Sequence, residues 1–146
     1  MIPELQEKPG IKGAASIVLF RDGKMLIGLR HYKRDKWMEI SLWTTPAGRC
    51  DEGETVEQTL RREVQEETGI TEFSIDAILH VHPGAKEGDT VYTFVGNTMQ
   101  EPRLMEPEKF SEWKWVMLDE YVREEKFGGF NLPARKIILD YLQKLN

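Results

Sequence analysis

A single cysteine, Cys50, stands among 146 residues, so no disulfide can form within the chain. That usage suits a reducing cytoplasm. Histidine is scarce as well: His31, His80 and His82 are too scattered to suggest a zinc site. There is no basic run and the formal net charge is −5, which argues against binding along a nucleic-acid polymer. No apolar stretch approaches the ~20 residues that cross a bilayer, so no membrane partner is expected. The opening MIPELQEKPGIKG lacks an apolar signal core. Linkers, repeats and low-complexity tracts are absent too. These absences leave a soluble chain of single-domain size, 1–146, able to build a core without metal or disulfide staples.

Against that plain background one stretch is dense with signal: GRCDEGETVEQTLRREVQEETGI, from Gly48 to Ile70. Thr55 followed by Gln58 forms a capping box, each side chain satisfying a free backbone donor of the other's turn. Gly69 after Thr68 is the left-handed stop. The two signals predict a helix over Thr55 to Thr68, about 20 Å long at 1.5 Å per residue. Val56, Leu60 and Val64 recur at i, i+4 and i+8 and make an apolar stripe that must face a core. Glu63, Glu66 and Glu67 adjoin that stripe. The opposite side holds Arg61, Gln65 and Thr68, which are expected to face water.

Three carboxylates crowded at a core boundary require an explanation. A solvated acidic face with i,i+4 partners is the bland one, and Arg62 would offset part of the charge. Such a face should point away from the core, however, and acids at its edge are costly to desolvate unless a cation meets them. A divalent metal supplies that cation. Beside a glycine-rich turn, it points to a phosphate-bearing substrate.

Gly48, Glu54 and the run Arg62-Glu63-Val64-Gln65-Glu66-Glu67-Thr68-Gly69-Ile70 match the Nudix box at every specified position. The chain therefore resembles the Nudix hydrolases. The resemblance implies an α/β fold, an α/β/α sandwich with a mixed β-sheet between helices. It also implies hydrolysis of a small molecule containing a nucleoside diphosphate, with Mg2+ or Mn2+ as cofactor. Carried over by position, Glu63, Glu66 and Glu67 are metal ligands, and Glu63 or a nearby carboxylate helps deprotonate the attacking water. Arg62 and Glu54 form the salt bridge that orients the acids. The carbonyl before the box glycine, here that of Ala47, is a further metal ligand. Glycine is usual at this place, and alanine disfavours positive φ. Many proteins with this box form dimers; the resemblance leaves a homodimer open, and no segment specifies its interface.

Around the box, Ala14 to Phe20 and Met25 to Leu29 read as strands joined by an Asp22-Gly23 hairpin turn. Arg34 to Leu42 reads as a polar, Trp-containing loop. Phe73 to Val81, Thr90 to Val95 and Trp113 to Leu118 read as strands, and Ala134 to Leu145 as a helix. Layered alternation of this kind indicates an α/β domain. His80 and His82 share one strand face and read as partly buried structural residues.

Three features bear on substrate. Met105-Glu106-Pro107-Glu108-Lys109 ahead of Trp113 and Trp115 resembles a segment of triphosphate-cleaving relatives. In those relatives a late-loop glutamate approaches the metal, which implies Glu108 first and Glu106 second. Phe130-Asn131-Leu132-Pro133 resembles the purine-contacting segment of MutT-type enzymes, where Asn131 would offer a donor and an acceptor to a base edge; it serves equally as a helix cap. Arg30 stands where relatives contact phosphate. Trp37, Trp43, Phe94 and Phe127 are the aromatics able to stack on a base. The expected reaction is MutT-like, splitting a nucleoside triphosphate, canonical or oxidised, into monophosphate and pyrophosphate. An ADP-ribose or nucleotide-sugar pyrophosphatase is the alternative, although Pro83-Gly84 comes slightly early for that group. Tyr92 comes too late for a diadenosine polyphosphate hydrolase, and Cys50 is misplaced for an isopentenyl diphosphate isomerase. A non-catalytic nucleotide sensor of the same fold would carry degenerate box carboxylates, and these are intact.

Overall fold

A computed structural model describes residues 2–35, 38–84 and 86–123, with Lys136 and Asp140. Its chain order is β1 (Gly13–Arg21), β2 (Lys24–Asp35), β3 (Met38–Thr44), β4 (Ala47–Arg49), α1 (Val56–Thr68), β5 (Ser74–Pro83), β6 (Thr90–Asn97), β7 (Phe110–Met117) and α2 (Leu118–Arg123). Two short 3-10 turns, Pro3–Gln6 and Gly10–Lys12, precede β1. None of the described helices is long and apolar enough to cross a membrane.

The hairpin turn forms as its residues dictate, with Asp22 and Gly23 both at positive φ, 51° and 78°. From there β1 and β2 diverge. Their pairing among the described residues is confined to Phe20↔Met25 and Arg21↔Lys24. Beyond it β1 runs parallel to β6 and takes β4 on its other edge. β2 meanwhile pairs with β3 and β7, both antiparallel. The β3–β4 segment thus fills the opening between the two arms, β3 tied to one and β4 to the other. The sheet is mixed and has seven strands.

Strand alternation separates two cores. Ala15, Ile17, Leu19 and Leu26 join Val56, Leu60 and Val64 of α1, together with Tyr92 and Phe94. Val18, Met25 and Ile27 point the other way and pack with Val116, Leu118 and Tyr121, which lies in α2. A sheet covered by α1 on one face and α2 on the other is the layered α/β architecture expected.

α1 obeys its sequence signals. Thr55 caps it with the reciprocal Gln58 bond, and Gly69 ends it at φ 75°. Thr68 departs from expectation: it is fully buried rather than facing water. The reason is tertiary. Its carbonyl accepts the Arg103 N–H at 2.7 Å, while its hydroxyl is satisfied within the helix by the Val64 carbonyl at 2.6 Å.

The polar loop expected over Arg34 to Leu42 is instead the end of β2 and most of β3. The backbone there is satisfied by antiparallel pairing from Gly28↔Thr44 to Asp35↔Met38. β7 also begins earlier than expected, at Phe110 rather than Trp113. Phe130 to Pro133 and the helix expected over Ala134 to Leu145 lie outside the described residues, apart from Lys136 and Asp140, both helical.

Candidate active site

α1 delivers its three acids at graded depth. The Glu67 side chain is 3% exposed, Glu63 16% and Glu66 49%. Glu67 is next to the apolar stripe, so it enters the protein with Val64; Glu66, one residue earlier and about 100° round the helix, sits at the rim.

β4 meets α1 at Glu63 and Glu67. The Ala47 N–H donates to Glu67 Oε1 at 3.0 Å. Gly48 lies flat beneath Glu63: a Cβ built there would stand 1.9 Å from Glu63 Cδ. The glycine is thus required for close approach and not for a positive φ. Ala47 is in extended backbone paired with Ser16, and Asp22 alone among the described non-glycine residues has positive φ. The alanine in place of glycine therefore costs no strain.

Arg62 organises the rim. Its Nε and Nη2 donate to the two oxygens of Glu54 at 2.8 and 2.9 Å, and Nη1 donates to Glu63 Oε1 at 2.7 Å. Glu66 is 3.3 Å from Nη1, and the Arg49 carbonyl accepts from Nη2 at 3.1 Å. Arg62 holds the Glu54 carboxyl down to about 2, with help from the Thr59 hydroxyl at 2.7 Å and the Asp51 N–H at 3.0 Å. Deeper in, burial dominates. It pushes Glu67 up to about 8, opposed by the Ala47 N–H and Arg30 and reinforced by Glu63 and Glu106. Burial also raises Glu63, against the pull of Arg62 and Lys109.

Arg30 enters from β2, with Nη1 3.9 Å from Glu67 Oε2. Its guanidinium lies over the Tyr32 ring at 4.7 Å and the Phe110 ring at 5.7 Å, and its Nε is buried without a hydrogen-bond partner. A planar cation stacked on two rings is held in place while keeping a donor in reserve.

Among the described residues no three His, Cys, Asp or Glu side chains stand as a ready-made metal cage. Arg62 holds Glu63 and Glu66, and Ala47 holds Glu67. The donor chemistry nonetheless fits a hard divalent cation: carboxylate and carbonyl oxygens, one carboxylate being buried beyond what its protein partners offset. Glu63, Glu66, Glu67 and the Ala47 carbonyl would hold it.

The loop glutamates differ in place. Glu108 is exposed in a turn, whereas the Glu106 charge reaches Glu67 and its carboxylate pairs with Lys109 at 3.3 Å. Phe94 is fully buried in the core, and Trp43 is half-buried under the Lys114 ammonium at 4.4 Å. Asn131, Trp37 and Phe127 lie outside the described residues. His80 is exposed, and half-buried His82 meets the Thr93 hydroxyl at 3.3 Å. The sequence reading missed Thr59, Tyr32 and Phe110. Thr59, on the helical turn above Glu54, carried a usable spacing signal; the two rings under Arg30 carried none, since only strand register brings them together.

The NUDIX domain model matches residues 10–140. The RNA pyrophosphohydrolase of Bartonella bacilliformis is 30% identical over 135 residues, covering 76% of this chain and 79% of that protein. The putative 8-oxo-dGTP diphosphatase of Bacillus subtilis is 30% identical over 105 residues, 72% of this chain and 65% of that protein. Among solved structures, the MutT NUDIX hydrolase from Burkholderia pseudomallei superposes with a TM-score of 0.60 at 27% identity, over 88% of this chain and 95% of that one. The chain spans from about a quarter to about four-fifths of the length of curated relatives it matches. With the box glutamates, their arginine clamp and the close-approach glycine all in register, the chain belongs to the NUDIX family of hydrolases.

Proposed function

We propose that this hydrolase splits a nucleoside triphosphate, canonical or oxidised, into monophosphate and pyrophosphate, with Mg2+ or Mn2+ on Glu63, Glu66, Glu67 and the Ala47 carbonyl. One observation carries the reading: the Glu67–Arg30 pair. A buried carboxylate short of positive charge lies 3.9 Å from a guanidinium with an unused buried donor. The pairing is long and leaves the Arg30 Nε unused, so a cation on the carboxylate and a phosphate oxygen on the guanidinium would each improve on it.

A bound divalent ion lowers the pKa of water and neutralises phosphate oxygens. The chain's own residues do the rest. Arg30 takes a non-bridging phosphate oxygen and orients the anhydride. Glu63, held by Arg62, accepts the proton of the attacking water. That water's oxygen forms the new P–O bond as the anhydride P–O bond between the α- and β-phosphates breaks, and the departing group, pyrophosphate or the nucleoside monophosphate according to which phosphorus is attacked, keeps the electron pair. Arg62 and Glu54 act through position, fixing Glu63 and Glu66 on one side of α1. Asn131 is assigned to the base edge and Glu108 to late-loop ligation on resemblance alone.

The names of the Bartonella and Bacillus relatives support cleavage at a pyrophosphate linkage. The test is pyrophosphate and phosphate release with each metal across triphosphates, ADP-ribose, nucleotide sugars, dinucleoside polyphosphates and 5′-triphosphorylated RNA. Pyrophosphate from free triphosphates is the expected result. Cleavage of ADP-ribose alone would move specificity to the Pro83 loop and end the purine-reading role of Asn131. Silence throughout, with metal bound, would make the protein a sensor.

A further inference from the structure

The chemistry above gives no task to Lys109. Its backbone is pinned on both sides: the N–H groups of Lys109 and Phe110 donate to the Glu106 carbonyl at 2.9 Å, and the Lys109 carbonyl accepts from the His31 N–H at 2.8 Å. That turn seats it one residue before Phe110, the ring on which Arg30 rests. The side chain is not pinned. It is 49% exposed and meets Glu106 Oε2 at 3.3 Å. An ion pair this open to solvent contributes little to stability and exchanges readily. Yet the turn that holds the pair leads directly into Phe110 beneath Arg30, and both charges lie within electrostatic reach of the box acids, Lys109 of Glu63 and Glu106 of Glu67. A compact ammonium on a flexible stem, rooted in a fixed turn beside Arg30, can swing where a stacked guanidinium cannot.

We infer that Lys109 is an exchangeable counter-ion: it balances Glu106 and the box acids in the substrate-free protein, and turns to the terminal phosphate of the triphosphate when substrate binds. This rests on the proposed function. It demands effects of opposite sign when the ammonium is removed. The substrate-free site loses a cation that repels metal, while the substrate loses a cation that attracts it.

The experiment is calorimetric titration of substrate-free wild type and Lys109→Met with Mn2+, alongside steady-state kinetics on a triphosphate and thermal melting. In Lys109→Met the metal binds about 2- to 5-fold tighter and KM rises about 5- to 20-fold, with kcat within about twofold. Lys109→Arg returns both toward wild type. Unchanged or weaker metal affinity overturns the inference, as does an unchanged KM. Loss of both affinities with a lowered melting temperature also overturns it, since it marks a structural role. If Lys109→Met fails to fold, Lys109→Gln is read the same way. The metal titration needs no turnover, so a wild-type protein inactive on every nucleotide would sink the proposed function while that arm still decides the role of Lys109.

Discussion

Arg62 grips Glu54 with two bonds, Nε to Oε2 at 2.8 Å and Nη2 to Oε1 at 2.9 Å. The geometry is the bidentate fork that makes Arg–carboxylate pairs directional. Because the Glu54 carboxyl is held at about 2 in the folded chain, below its usual 4.5, folding favours its ionised form. The stabilisation is complete above about pH 4.5 and is lost as pH falls through about 2. Solvent reaches Arg62, so we discount it to about 1–2 kcal/mol. Wild type and Glu54→Gln should therefore differ in stability at pH 7 and converge toward pH 2 in denaturant titrations. A constant gap across that range would refute the assignment.

Glu67→Gln removes the carboxyl that a bound cation would draw into its ionised form, but keeps an acceptor for the Ala47 N–H. The metal-free variant should melt within a few degrees of wild type while losing the metal-induced rise in melting temperature. Turnover should fall by about 100-fold or more, the scale of losing a charge-stabilising group. Retained metal stabilisation would take Glu67 out of the ligand set.

Gly48→Ala places a methyl group where Glu63 Cδ now lies. Overpacking of this kind costs about 1–3 kcal/mol, and here the group displaced is a site carboxylate. Activity should drop about 10- to 100-fold on the logic that small misplacements are costly to catalysis. Near-normal kcat, with stability unchanged, would show that Glu63 has room to move.

Arg30→Met should raise KM for triphosphates about 10-fold or more, as expected for loss of a charge-assisted phosphate contact. Arg30→Lys should recover only part of that, because an ammonium does not stack flat on Tyr32 and Phe110. Full recovery by lysine would mean that charge alone matters and the aromatic seat does not.

The parts legible in the sequence were those whose causes are local. The cap at Thr55, the stop at Gly69 and the burial of Val56, Leu60 and Val64 follow from spacing along one helix. The burial of Thr68 did not, because Arg103, distant in sequence, covers it. β3 was hidden for the same reason: the charged run Arg34-Asp35-Lys36 ahead of it, with Glu39 and Ser41 within it, reads as loop until β2 supplies hydrogen-bonding partners. At the site, spacing placed the acids at a core edge but was blind to depth, which separates Glu67 from Glu66. Glu106 and Glu108, two residues apart, look interchangeable on paper; the turn over 106–109 pairs one with Lys109, within electrostatic reach of Glu67, and leaves the other exposed.

The divergence of β1 from β2 divides the site between two arms of one sheet. Ala47 is fastened to the β1 arm through Ser16, while Arg30 rides on the β2 arm, and the arms join at Asp22 and Gly23. The two groups proposed to meet one metal-bound phosphate therefore belong to opposite blades of a pair of shears. Reach across the bite is set at the pivot as well as at the tips, so replacing Gly23, far from any carboxylate, should register as altered grip on substrate.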